Sequence, residues 1–95
     1  MAKIKVENVK HPGSTRTLDG AKYEAMKRAY LQVLPASPPG LTVAQIRERL
    51  DPQLSQEHFP GGATAGWWAK AVQLDLEAKG VITRIDVSPL RLHRS

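Results

Sequence analysis

Val72-Gln73-Leu74-Asp75-Leu76-Glu77-Ala78-Lys79-Gly80-Val81-Ile82-Thr83-Arg84 is the stretch on which the fold turns. Val72 and Leu76 lie four apart, so on a helix they share one face and anchor it to a core. Gly80 supplies a residue that leaves the helix in the left-handed conformation without steric penalty. The β-branched Val81 and Ile82 then start a strand. A helix that stops on a glycine and passes directly into a strand is the organising feature of the chain.

Upstream, Phe59-Pro60-Gly61-Gly62 breaks the chain and Thr64 is placed to cap a helix predicted over 65–79. At 100° per residue, Ala65, Trp68, Ala69, Val72, Leu76 and the stem of Lys79 make its core face. Gly66, Lys70, Gln73 and Glu77 make a polar face, and Trp67, Ala71, Leu74 and Ala78 a second apolar stripe. Gly61-Gly62 is a tight turn that sets the helix angle, or else a place where open backbone N–H groups meet an anion. Downstream, a strand is predicted over 81–87, Ser88-Pro89 turns the chain, and Leu90-Arg91-Leu92-His93-Arg94 alternates as a return strand.

Further toward the N-terminus, Thr42-Val43-Ala44-Gln45 fits a capping box, with Leu41 before it and Val43, Ile46 and Leu50 on one helical face until Pro52. Residues 51–59 are ambiguous, with room for one helical turn over 55–58. A longer helix is predicted over 21–34, carrying Tyr23, Met26, Tyr30, Val33 and Leu34 at spacings of three and four. Asp19 caps its start and Pro35 ends it. Residues 3–9 alternate as a strand, 11–14 are turn-forming and 15–18 return. The order is hairpin, three helices, hairpin. This is an α+β winged helix-turn-helix arrangement, three helices plus a C-terminal β-hairpin wing, with an added N-terminal β-hairpin. The expectation is one domain over 1–95, with 1–19 as the hairpin extension and 20–95 as the winged-helix core.

Two segments carry a resemblance. Leu41-Thr42-Val43-Ala44-Gln45-Ile46-Arg47-Glu48-Arg49-Leu50 resembles the second helix of winged-helix regulators. The 72–84 run resembles the end of a recognition helix and the first wing strand, with Leu76-Glu77, Lys79-Gly80, Ile82 and Arg84 at the familiar spacing. The resemblance covers about 21–94. Through Phe59-Pro60-Gly61-Gly62-Ala63-Thr64-Ala65-Gly66-Trp67-Trp68-Ala69-Lys70 the chain is also similar to a small family of uncharacterised bacterial winged-helix proteins. What that implies is a fold; no family activity comes with it.

Charge narrows the partners. The 95 residues hold 14 Lys and Arg against 9 Asp and Glu, a formal +5, and a basic surplus favours anionic partners. The surplus is uneven: +4 over 1–40, −2 over 41–78 and +3 over 79–95. No cysteine is present, which removes disulfides, thiolate metal sites and cysteine nucleophiles. No apolar run reaches the roughly 20 residues of a membrane span, so a cytoplasmic setting without membrane partners is expected. His11, His58 and His93 are scattered, and no serine sits in a G-x-S-x-G elbow. No catalytic residue, metal site or cofactor is expected.

The candidate site residues follow from the fold. Thr64, Lys70 and Gln73 would meet DNA from the third helix, Gln73 by pairing with adenine and Lys70 at a phosphate or guanine. Arg84, Arg91, His93 and Arg94 on the wing would rest on phosphates, or serve as a basic edge that discourages strand pairing. Trp67 and Trp68 cannot both point into one core. One is buried, and the other packs under the N-terminal hairpin, forms a dimer contact or stacks on a ligand. Two readings stay open: a DNA-binding winged helix, such as a small transcriptional regulator, and a protein-interaction module using Trp67 and Leu74 toward a second copy or another protein.

Overall fold

The computed structural model describes residues 3–8, 10, 13, 15–54, 56–62 and 64–95. The chain opens with an antiparallel hairpin of β1 (Lys3–Glu7) and β2 (Thr15–Asp19), in register Ile4↔Leu18 and Val6↔Arg16. Strand alternation turns Val6 inward, where it is buried. The predicted end of the first strand at Val9, and most of the predicted 11–14 turn, lie outside the described residues.

Asp19 closes the hairpin and opens α1 (Gly20–Val33), its Oδ1 accepting from the N–H groups of Ala21 at 2.9 Å and Lys22 at 3.4 Å. Tyr23, Met26, Ala29 and Tyr30 form its buried stripe. The chain then reaches a short strand that the sequence did not announce, β3 (Leu41–Thr42). Two residues are too few to show a period, and this strand exists only through its partner. Gly40 before it has φ +72°, and a Cβ there would stand 2.3 Å from the backbone oxygen of Leu92. Only glycine lets the two backbones approach this closely.

The expected capping box starts α2 (Val43–Leu50): Thr42 Oγ1 accepts from Gln45 N–H at 3.2 Å, and Gln45 Oε1 accepts from Thr42 N–H at 2.9 Å. Ile46 and Leu50 are buried, whereas Val43 is exposed. A 3-10 turn over Asp51–Gln53 and another over Pro60–Gly62 bracket the segment that buries Phe59.

Next comes α3 (Ala65–Ala78). Its core face is the one expected, with Ala65, Trp68, Ala69, Val72 and Leu76 all buried. Its start differs from expectation. Thr64 has a left-handed φ of +59°, and its side chain makes no capping bond; its carbonyl accepts from Trp68 N–H at 3.1 Å. The other end is a Schellman closure, with Gly80 at φ +74°, Val81 N–H on Leu76 O at 2.9 Å and Gly80 N–H on Glu77 O at 3.2 Å.

The chain finishes in β4 (Ile82–Ile85) and β5 (Arg91–Arg94). β5 lies between its neighbours in an antiparallel sheet of order β3-β5-β4, with Leu92 opposite both Leu41 and Arg84. The fold is therefore α+β: the described residues form three helices and two small antiparallel sheets around one core centred on Tyr23, Met26, Ile46, Phe59, Leu76 and Leu92. Among the described residues, no helix is long and apolar enough to cross a membrane.

Candidate nucleic-acid interface

The N-terminal half of α3 forms a ridge. Lys70 and Trp67 are exposed on it, Trp67 by 48%. Trp68 is the buried member of the pair and meets Trp67 edge-on at 5.2 Å between ring centroids. Residues 72–76 are covered. Gln73 and Leu74 are only 7% and 8% exposed. The polar face expected on this helix is thus reduced to Lys70, because neighbouring elements close over the remainder.

A buried relay explains what happened to Gln73 and Glu77. Tyr30 Oη donates to Gln73 Oε1 at 3.4 Å, and Gln73 Nε2 donates to Glu77 Oε2 at 3.0 Å. Glu77 then takes a two-pronged contact from Arg84, with Nε to Oε1 at 2.5 Å and Nη2 to Oε2 at 3.2 Å. Gln73 spends its amide on this relay and does not present it to a base edge. The Glu77 hydrogen bond holds the Arg84 guanidinium still more firmly in its charged form. Burial, seconded by the Glu77 charge, pushes the Tyr30 phenol above its ordinary range, while Arg47 pulls the other way.

One side of the ridge is a cleft of about 230 Å³ between α3, α2 and the β4–β5 ribbon. Lys10, Arg47, Lys70 and Arg84 all line it, with Tyr30 and Leu90. Gly66 leaves room for Arg47, since a Cβ there would lie 3.1 Å from Nη1. Glu77 offsets Arg84; among the described residues no carboxylate pairs with Lys10, Arg47 or Lys70. The reading of the sequence missed Lys10 and Arg47. They come from the hairpin connection and from α2, and nothing in their local spacing signals that they converge.

The other cations expected on a wing lie elsewhere. Arg91 donates from Nε to Pro39 O at 2.9 Å and from Nη2 to Gly40 O at 3.0 Å. Arg94 donates from Nε to Leu34 O at 3.0 Å, and its backbone N–H reaches Pro35 O at 2.8 Å. His93 Nδ1 is 2.7 Å from Arg94 O. Arg91 and Arg94 thus stitch β5 to the carbonyls that follow α1. The ribbon's tip carries Asp86 and an exposed Val87. Thr64 is exposed at the start of α3 and lines neither cleft of the ridge. The Gly61 and Gly62 N–H groups go to Gln56 Oε1 at 3.0 Å and Phe59 O at 2.9 Å, so this turn holds no anion with them.

On the other side of the ridge, the N-terminal hairpin leans on α3 and leaves a larger cleft of about 430 Å³. Asp75, fully buried, holds the hairpin there: its carboxylate accepts from Glu7 N–H at 2.8 Å, from Tyr23 Oη, and from Lys79 Nζ at 3.0 Å. Burial first, then the bond to Asp75, raises the Tyr23 phenol above its ordinary range. Sequence spacing suggests the Asp75–Lys79 pair, but not that Asp75 binds three segments.

Among curated proteins and among solved structures, none matches the chain. A family does: residues 3–92 match DUF6958, so the sequence resemblance to an uncharacterised family is met at that level, and the chain belongs to this family of unknown function.

Proposed function

We propose that the chain is a winged-helix protein that binds double-stranded DNA through its phosphates, as a small transcriptional regulator would. The order α1-β3-α2-α3-β4-β5, with β5 between β3 and β4, supports the winged-helix reading. The single observation that carries the DNA reading is the convergence of Lys10, Arg47 and Lys70 in one cleft beside α3, unpaired with any carboxylate among the described residues. Phosphate contact then comes from this cleft, with Arg84 at its edge. Arg91 and Arg94 already serve backbone carbonyls. With Gln73 buried, base reading is slight, and binding is governed by phosphates.

Anisotropy of a labelled mixed-sequence duplex over a salt series tests this. Three phosphate contacts give a slope of log K against log salt of about −2.7. Arg47→Gln with Lys70→Gln removes about two-thirds of that slope. Absence of duplex binding at low salt sinks the proposal. Exposed Trp67 favours the second reading, a protein-interaction module, but buried Leu74 withdraws half of its surface. Sedimentation that shows a monomer at every concentration removes the second-copy form of that reading.

A further inference from the structure

We propose that the cleft between the N-terminal hairpin and α3 is a binding site for a small aromatic carboxylate. This site stands on different residues from the duplex reading, apart from Lys70, and does not depend on it. The volume of about 430 Å³ lies in the range of small-molecule sites, which are concave and mostly apolar with a few placed polar groups. Val6, Ala71 and Leu74 supply an apolar floor. Trp67 forms one wall, and its half-exposed indole presents a face to anything that enters. A flat aromatic body is the shape that uses both the floor and this wall.

The charge of the ligand follows from the rim. β1 pairs Val6 with Arg16, so these two side chains project on one face of the hairpin, toward α3. The Arg16 guanidinium stands 5.9 Å from the centre of the Trp67 ring. Lys70 lines the same cleft from the helix side. Glu7 is the acid among the described lining residues. Set against Arg16 and Lys70, it leaves the lining with a net positive charge. The rim above the indole is therefore cationic, and Arg16 matches a carboxylate with two parallel donors. A planar apolar body with one carboxylate satisfies floor, wall and rim together; a cation would meet two like charges.

The experiment titrates 2-naphthoate into ¹⁵N-labelled full-length protein and follows the two indole N–H resonances. Neutral 2-naphthalenemethanol and cationic 2-naphthylmethylammonium are run alongside. The expected result is a saturable shift of the Trp67 resonance, with the carboxylate binding at least about tenfold tighter than the alcohol, the effect of one charge-assisted contact. Arg16→Gln with Lys70→Gln abolishes that preference and leaves the alcohol's affinity unchanged, and Trp67→Ala weakens all three probes. Equal affinity for carboxylate and alcohol in the wild-type protein overturns the proposal. So does a Trp67 resonance that stays still at millimolar naphthoate. Because the probe comparison needs no variant, the outcome does not hang on how a substituted chain folds.

Discussion

Replacing Asp75 by Asn isolates the charge at the junction of three segments. The side chain keeps its size, so no cavity forms, but a fully buried carboxylate becomes an amide. The wild-type group receives donors from Glu7 N–H, Tyr23 Oη and Lys79 Nζ. An amide has one oxygen for these, and its NH₂ faces a donor it cannot use. Hydrogen bonds to a charged partner contribute about 1.5–3 kcal/mol, so Asp75→Asn should cost about 2–3 kcal/mol. Total stability for a chain of 95 residues is roughly 5–14 kcal/mol at the usual value per residue. The loss corresponds to a fall in Tm of roughly 10–20 °C. Asp75→Ala, which strands two buried donors as well, should cost about 3–5 kcal/mol. Urea unfolding followed by tryptophan fluorescence reads these differences by linear extrapolation. Lys79→Gln is the control. Its side chain is 35% exposed, so solvent screens that ion pair and its removal should cost no more than about 1 kcal/mol. If Asp75→Asn and Lys79→Gln cost the same, Asp75 is only one half of an ordinary helix-surface pair, and the argument for a three-way junction fails.

The two tyrosines predict the alkaline limit of the fold. Both are buried and both have a raised pKa, chiefly from burial, so the folded state favours the neutral phenol. Their contribution to stability should be level below pH 10.0, the ordinary tyrosine value, and fall above it toward the folded pKa. These are the chain's only tyrosines, so phenolate absorbance should appear together with loss of helical circular dichroism, and a separate earlier rise would contradict the burial. Gly40→Ala places a Cβ against the Leu92 oxygen at positive φ, and urea unfolding should show a loss of about 3 kcal/mol or more. Arg91→Ala with Arg94→Ala removes side-chain bonds to Leu34, Pro39 and Gly40 carbonyls. That pair should lower stability by about 1–2 kcal/mol while leaving the salt slope of duplex binding unchanged; a slope reduced by about two would return phosphate contact to the wing.

What could be read from the sequence was local. Asp19, the Thr42–Gln45 capping box, the Gly80 stop and the core face of α3 each follow from residues within a turn or two of one another, and each is present. β3 escaped because a two-residue strand has no period of its own. Its position depends on Gly40 fitting under Leu92, some fifty residues away. The solvent face of α3 was misjudged for a related reason. Helical spacing tells which residues share a side, but not which side another element will cover. Gln73 and Leu74 are buried, and the relay through Glu77 to Arg84 absorbs both the amide expected to read a base and an arginine expected on a wing. The cationic cleft was hidden in the same way. Lys10, Arg47 and Lys70 belong to a hairpin connection, α2 and α3, and the −2 balance of the middle segment concealed that Arg47 and Lys70 line one cleft. Division of the net charge along the chain therefore described its sequence distribution, whereas the useful quantity is which cations remain without a protein partner.

The attachment of the hairpin through Asp75 also sets which positions in the family are free to vary. The group it takes from β1 is the main-chain N–H of Glu7, not that residue's side chain. Position 7 can therefore change its chemistry widely without loosening the junction, with proline as the exception because it carries no N–H. Positions 23 and 75 have no such latitude: a phenol that donates and a carboxylate that accepts must change together or not at all. Drift across the family should leave a coupled pair at 23 and 75 beside a variable but proline-free position 7.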